Sequence, residues 1–397
     1  MQGFFTLTKP VSSVRPATCG LSCTLNKGCQ SPKMPVTGQG KMGILVLAEA
    51  PGELEDSRNT QLIGPAGQLL RKVMAKYGVD LDKDCRKTNS LRCRPPDNRK
   101  PARDEIAACQ PHIWDEIKTN PPKMILTLGQ VALESLLLNH VKKIGQIGRW
   151  RGMTIPDQKA GCWICPTFHP SYILRSQRGR AIRGKSLPAL SAEELVFGLD
   201  IKAALEKVEE PFPVMLVPEI LSPSQIDFPD MARAGQVIAI DYETTGLRPY
   251  RSGHQIVSTG VCWGDKAVAF PMFPEIARQW KRVLADPNIK KVGWNIKFEH
   301  QWAQHCLGVE TRGWVWDGMI AAHLVDNRRG ICSLKHQAYL TLGVPDWSDG
   351  VPDGFREDEK GFNHWKYASP DPKLLRYNAL DSYFTMAIAK KQMELFK

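Results

Sequence analysis

Two short runs of consecutive apolar residues, each ending in a turn, constrain this chain more than any other feature. GILVLAEAPG begins at Gly43 and VIAIDYETTG at Val237. Runs of this length bounded by Gly, Pro or Thr-Gly read as buried strands, which need helices or sheet on both sides. Between them lies a seam. Ser191 and Glu194 have capping-box spacing and open a helical pattern that runs to about Val208, then breaks at Glu209, Glu210, Pro211 and Pro213. The chain therefore divides into one unit near 15–210 and a second near 212–397.

In the first unit the strand at Gly43 is followed by a helix near Gly67 to Tyr77, the segment KTNSLRC, a helix near Arg103 to Thr119 and the strand MILTLG. Strands alternating with helices predict a parallel α/β sheet with its site outside the carboxyl ends of the strands. In the second unit VIAIDYETTG is followed by the alternating stretch QIVSTGVCW, a helix near Glu275 to Leu284, the strand KKVGWN and several helices. This unit is α/β as well.

Composition narrows the class. Of the 397 residues, 42% are hydrophobic and 24% charged, which excludes a disordered, collagenous or disulfide-dense chain. No apolar run reaches the length of a membrane span, and MQGFFTLTKPVSSVR lacks the basic start and apolar core of a secretion signal, so a cytoplasmic setting is expected. The formal net charge of +12 points to a polyanionic partner.

Eleven cysteines cannot all pair, which makes metal or cluster ligation the reading to test. Cys19 and Cys23 lie near the start, while Cys93 and Cys109 flank a loop containing RPPDNRKP. Four thiolates from two distant pairs can close around one centre; spacing alone does not choose iron–sulfur over zinc, or either over buried unliganded thiols. Cys162 and Cys165, in the extended GCWICPTF, would point to opposite faces of a strand and read as core.

Six ordered blocks then carry a resemblance. AEAPGELED (Ala48 to Asp56), GPAGQLL (Gly64 to Leu70), TNSLRCRPPDNRKP (Thr88 to Pro101), CQP (Cys109 to Pro111), ILTLGQVA (Ile125 to Ala132) and FHPSYILR (Phe168 to Arg175) resemble the type-4 uracil-DNA glycosylases. The resemblance implies a glycosylase-like parallel-sheet sandwich and a 4Fe–4S cluster held by Cys19, Cys23, Cys93 and Cys109. Cys19 is one residue too far from Cys23 for the family's leading pair, which leaves Cys29 as a substitute. It also implies that His169 donates to the departing base, that Asn89 reads the edge of a flipped uracil, and that Glu49 and Glu55 hold or polarise the attacking water. Ala50 and Leu62 fall at pocket positions. Two departures stand: Ala48 replaces a glycine, and Gln61-Leu62-Ile63-Gly64 replaces PFVG, so the aromatic expected to stack on the base is Leu62. Arg175, Arg178, Arg180, Arg183 and Lys185 form a basic run suited to phosphate, and Lys142, Lys143, Arg149 and Arg151 with Trp150 form another.

The second unit carries acids. Asp241 and Glu243 are two apart on one strand and share a face; Asn295 to Glu299 (NIKFE) follows the next strand; Tyr377 to Asp381 (YNALD) has helical spacing. Converging carboxylates suit paired divalent cations acting on a phosphodiester. With WDGMIAAHLVDN and SLKHQAYLTLG, these blocks resemble the DEDD 3′–5′ exonucleases, in the tyrosine-containing branch that proofreads for family-A DNA polymerases. The resemblance implies an RNase H-like fold, two Mg2+ or Mn2+ ions on Asp241, Glu243, Glu299 and Asp381, Tyr377 orienting water, and Asn295 near the substrate. The third acid is usually Asp, one methylene shorter than Glu299.

Both readings together predict a DNA-processing fusion of a uracil-DNA glycosylase and a 3′–5′ exonuclease. The sequence stops soon after Asp381, so the expected polymerase partner is separately encoded. The rival expectation is a first unit that has lost catalysis through Leu62 and only binds uracil or DNA to place the exonuclease. A self-crosslinking glycosylase relative is disfavoured, because CRPPDNRKP contains no histidine.

Overall fold

The computed structural model describes residues 23–138, 140–141, 144–182, 191–216, 218–231, 233, 235–348, 351–366 and 370–397, with side chains omitted at 178–182 and 352. The chain packs as two units, one of residues up to Met215 together with Leu342–Pro345, the other of Leu216–Thr341 and Asp346–Lys397. No described helix is long and apolar enough to cross a membrane.

The first unit runs β1 (Ile44–Ala48), α1 (Glu53–Arg58), α2 (Pro65–Ala75), β2 (Cys85–Asn89), α3 (Arg103–Thr119), β3 (Met124–Leu128), α4 (Gly129–Leu137), β4 (Ile155–Asp157), β5 (Cys162–Thr167), α5 (Pro170–Ile182) and α6 (Ala192–Glu206). Its sheet has the order β2-β1-β3-β5-β4, with β4 antiparallel to β5 and the other pairs parallel. Every residue of β1 is buried. Ile44, Val46 and Ala48 pack with Leu70, Met74, Phe197 and Ile201 in one core, so the apolar run belongs to a strand covered on both faces. A second core joins Leu25, Leu91, Ile106 and Val131 to cysteines. Parallel register places Ala48 beside Asn89 and Leu128 beside Thr167, and the turns that follow these residues share one edge.

The second unit runs β6 (Glu219–Leu221), α7 (Phe228–Met231), β7 (Val237–Thr244), β8 (Ile256–Trp263), β9 (Lys266–Pro271), α8 (Pro274–Ala285), β10 (Lys290–Gly293), α9 (Ile296–Trp302), β11 (Trp314–Asp317), α10 (Gly318–Val325), α11 (Leu334–Leu342) and α12 (Pro372–Leu395). The sheet order is β11-β10-β7-β8-β9-β6, an antiparallel β7-β8-β9 meander flanked by parallel pairs. Alternation in QIVSTGVCW implies a strand with one wet face, yet all eight residues of β8 are buried. Val261 and Trp263 pack with Trp280 and Trp302, while Cys262 on the opposite face meets Ala379 and Met386 of α12. The Ser258 hydroxyl is consumed internally, donating to Asn378 Oδ1 at 2.9 Å, while the Thr259 hydroxyl is buried with no hydrogen-bond partner among the described residues.

The seat of α12 on β8 depends on a missing side chain. Gly260 pairs with Asp241 in the ladder, and a Cβ there would lie 2.4 Å from the Asn378 carbonyl oxygen. Only glycine lets the α12 backbone come this close. Gly260→Ala is expected to destabilise the second unit by about 2 kcal/mol through overpacking, measured by chemical denaturation; an unchanged midpoint would show that α12 is held by other contacts.

Candidate active sites

At the carboxyl edge of the first sheet lies a cleft of about 750 Å³ lined by Glu49, Leu62, Asn89, Phe168, His169 and Arg175. Most come from a turn or strand end: Glu49 follows β1, Asn89 ends β2, Leu62 lies between α1 and α2, and Phe168 and His169 lie between β5 and α5, while Arg175 is on α5. Gly129, at φ +85° between β3 and α4, packs against the histidine; a Cβ there would stand 2.9 Å from that of His169. Ala50 and Glu55 also line the cleft.

Hydrogen bonds fix the proton on His169. The Ser171 backbone N–H donates to Nδ1 at 3.2 Å, and the Ser171 hydroxyl lies 2.8 Å from the same nitrogen. Arg175 Nη1 donates to that hydroxyl oxygen at 3.0 Å. The backbone N–H can only donate, so Nδ1 accepts, and the Ser171 hydroxyl, whose oxygen accepts from Arg175, turns its proton to Nδ1 as well. Nε2 therefore carries the hydrogen. Burial and the Arg175 charge hold the imidazole down at about 4, so it is a neutral donor at ordinary pH.

The two glutamates do different work. Glu55 Oε1 accepts from the Gly64 N–H at 2.9 Å, which ties α1 to the start of α2 across the intervening turn. Glu49 has its carboxyl raised by burial, opposed by the charges of Lys100 and Arg175 and reinforced by Glu134. A carboxylate whose proton affinity is raised by burial and that faces a cleft is suited to hold water and take a proton from it. Leu62 is 6% exposed and sits at φ +56°, its loop anchored by the buried Gln61, whose amide bonds Thr37 and the Pro35 carbonyl. Phe168 and Tyr172, not assigned a role from sequence, also line the cleft with ring centroids 5.0 Å apart. Their signal was two aromatics four apart around His169.

Beside the cleft, Cys23, Cys93 and Cys109 share one packed cluster with Cys29 against it. Burial, with Cys29 and Cys109 nearby, pushes the Cys93 thiol up to about 12, and the Lys33 N–H points at its Sγ from 3.2 Å. Four sulfurs with a backbone donor directed at one of them fit a cluster or metal held by thiolates. Cys19 lies outside the described residues, and Cys29 is the fourth cysteine found in this group. Cys162 and Cys165 are buried on β5, apart from it.

Of the basic runs, Arg175 is exposed at the cleft; Arg178 and Arg180 are on α5 without described side chains, and Arg183 and Lys185 lie outside the described residues. The second run is corrected in part. Trp150 is fully buried, and Arg151 is bound to Asp200 through Nε at 3.0 Å and Nη2 at 2.6 Å, so both build the fold. Lys142 and Lys143 lie outside the described residues.

In the second unit, oxygens of Asp241, Glu243 and Asp381 all lie within 4.8 Å of one another. Burial and the Asp381 charge push Asp241 up to about 7; burial and Asp241 push Glu243 well up. Clustered buried carboxylates resist ionisation together unless cations join them. Glu299, on α9, is outside this trio, though it is 3% exposed, its carboxyl is raised by burial and by Asp241, and its Oε2 has no hydrogen-bond partner among the described residues. An orphaned buried carboxylate oxygen facing this group fits a divalent centre that retains water. Asn295 sits at φ +70° before α9. Asp317 accepts the N–H groups of Asn295, Ile296, Met319 and Ile320, a double cap that sequence reasoning missed.

Around Asp381 and Asp241 the structure adds three residues not singled out from sequence, Lys335, Trp347 and Asn378. Lys335 Nζ bonds Asp381 Oδ1, and Trp347 Nε1 donates to the same oxygen at 2.6 Å. Tyr377 also hydrogen-bonds Asp381. Asn378 donates to Asp241 Oδ2 at 2.7 Å, orienting that carboxylate from α12.

Comparison with known proteins assigns both halves. The uracil DNA glycosylase superfamily profile matches residues 35–190, and a 3′-5′ exonuclease profile matches 226–395. A type-4 uracil-DNA glycosylase of Pyrobaculum aerophilum is 33% identical over 165 residues, which cover 41% of this chain and 82% of that protein. Through its first unit, this chain belongs to the type-4 uracil-DNA glycosylases. Its second unit is a 3′–5′ exonuclease domain, so this glycosylase is a DNA-processing fusion. A DNA polymerase of Bacillus phage SP01 is 25% identical over 399 residues, covering 92% of this chain, which spans 41% of that protein's length. Among solved structures, one described as the apo form of the nuclease aligns with 44% of this chain and 79% of its own at 23% identity and a TM-score of 0.34.

His169 supplies a test of the glycosylase cleft. Its ordinary value is 6.5 and folding lowers it to about 4. The folded state thus binds this proton less tightly than the unfolded chain. The histidine's contribution to stability is complete above pH 6.5 and is lost as pH falls toward 4. An NMR titration is expected to show His169 neutral from pH 8 down to about pH 5, with the hydrogen on Nε2; protonation near 6.5 would remove the tautomer assignment.

Proposed function

We propose that the chain removes uracil from DNA by hydrolysis of the N-glycosidic bond in a unit spanning 15–210, and degrades DNA 3′ to 5′ in a unit spanning 212–397. The observation that carries the first half is one cleft lined by a neutral Nε2–H donor, a carboxamide and a carboxyl raised by burial, from His169, Asn89 and Glu49. As the bond breaks, negative charge grows on the base oxygens, where the His169 donor is worth most because it needs no reorganisation. Asn89 pairs with the edge of the flipped base, and its donor and acceptor together distinguish uracil from cytosine. Glu49 holds the attacking water, while Glu55 keeps the turn in place. Ala50 and Leu62 bound the base pocket, with aromatic surface from Phe168 and Tyr172 nearby. Arg175, followed by Arg178, takes the phosphates.

The thiols of Cys23, Cys29, Cys93 and Cys109 would hold the 4Fe–4S cluster expected of this family, with Cys19 the other candidate for the fourth position. The cluster, when bound, would crosslink the N-terminal segment to the loop that carries Pro95, Asn98 and Arg99 to the rim of the cleft. In the second unit Asp241, Glu243, Glu299 and Asp381 would hold Mg2+ or Mn2+. Those ions, when bound, would supply charge neutralisation for the phosphodiester and activation of water. Asn378 keeps Asp241 aimed, Tyr377 orients the water, and Asn295 lies near the substrate. A replication setting, with a separately encoded DNA polymerase as partner, is part of the same proposal.

Oligonucleotides with and without uracil, incubated with Mg2+ or EDTA, separate the activities. Abasic product specific to the uracil strand and insensitive to EDTA is expected from the first unit, and EDTA-sensitive 3′ degradation from the second. His169→Asn is expected to lower excision about a hundredfold with degradation intact; Asp381→Asn should do the reverse. Leu62→Phe is expected to raise excision about tenfold by adding a stacking face. Unchanged excision in His169→Asn would sink the glycosylase assignment of this cleft.

A further inference from the structure

The mutual repulsion of the acid trio is answered in this structure by a side chain. Lys335, at the start of α11, reaches Asp381 Oδ1 with its ammonium, and its side chain is only 23% exposed. The same nitrogen stands 4.0 Å from the centre of the Trp347 ring and 4.2 Å from that of Tyr377. Its charge also acts on Asp241 and Glu243, opposing the rise of both carboxyls. One lysine therefore does for three acids what a cation would do.

We propose that Lys335 is a resident counter-ion of the exonuclease site, occupying the place on Asp381 that a divalent cation must take and moving off it when that cation binds. The proposal rests on the exonuclease reading given above. Three features support it. Lys335 bonds the carboxylate oxygen itself, so ammonium and metal compete for one ligand atom. Two aromatic faces already in contact with the ammonium remain to stabilise it when it shifts off the carboxylate oxygen. The lysine stem is flexible, and a strongly hydrated ammonium exchanges partners readily. The lysine would thus set how much free cation the site demands, keeping the acids in place beforehand at the expense of metal affinity.

The test is Mn2+ binding to the full chain, followed by electron paramagnetic resonance without DNA. Lys335→Gln removes the competitor and is expected to tighten Mn2+ binding at least about tenfold, as loss of a unit charge at bonding distance should. Lys335→Arg keeps the charge and should stay within about threefold of the parent. A lysine that only braced the fold would give weaker or unchanged binding in Lys335→Gln, and that result overturns the proposal. Should Lys335→Gln fail to fold, the parent protein carries the test: amine acetylation of Lys335, read by peptide mass spectrometry, is expected to be slow without cation and several-fold faster with Mn2+. Equal rates would overturn the proposal. Asp241→Asn is the control for the underlying reading. If the parent binds no Mn2+, or binds it equally after Asp241→Asn, the exonuclease site itself is misplaced; if binding depends on Asp241 but not on Lys335, only the counter-ion role falls.

Discussion

Parallel strand pairing is the constraint from which both sites follow. Strands that run the same way bring their carboxyl ends to one edge, and the turns after them emerge side by side. In the first unit that edge collects Glu49, Asn89 and His169, which lie far apart in sequence. In the second, β7 and β10 run parallel and present Asp241, Glu243 and the Asn295 turn together. What the second unit adds is a helix laid across the meander, and there the limiting distance is set by Gly260.

Charge burial separates the two chemistries. The cleft of the first unit holds its histidine neutral: an imidazole before a helix start, near an arginine, gives up its second proton and remains a hydrogen-bond donor. The exonuclease site gathers acids whose burial is unfavourable until cations arrive. Hydrogen bonding reflects this difference. His169 is fixed by one serine contributing two groups, whereas Asp381 draws three donors from three separate stretches of chain. A group with that many partners is held in place before any ligand reaches it.

Much of this was legible in the residues themselves. Long apolar runs showed β1 and β7, and the spacing of Ser191 and Glu194 showed the start of α6, where the Ser191 hydroxyl indeed accepts the Glu194 N–H. The ordered blocks supplied the families. What sequence could not show depended on contacts across the fold. The burial of β8 needs a helix from more than a hundred residues later, and the consumption of Arg151 by Asp200 needs α6 beside the sheet. Lys335, Trp347 and Asn378 stood inside quoted motifs or next to them, but nothing in spacing reveals that a lysine and an indole reach the same oxygen. The division of labour between Glu49 and Glu55 was likewise invisible until the Gly64 amide was located.

Leu62 carries one more consequence. A left-handed backbone tolerates an unbranched or γ-branched side chain poorly and a β-branched one hardly at all. Glycine and asparagine fit such a backbone with least strain, so the leucine is held here against local preference by the buried loop around it. A replacement at this one position therefore alters the lining of the cleft and the strain of its loop together.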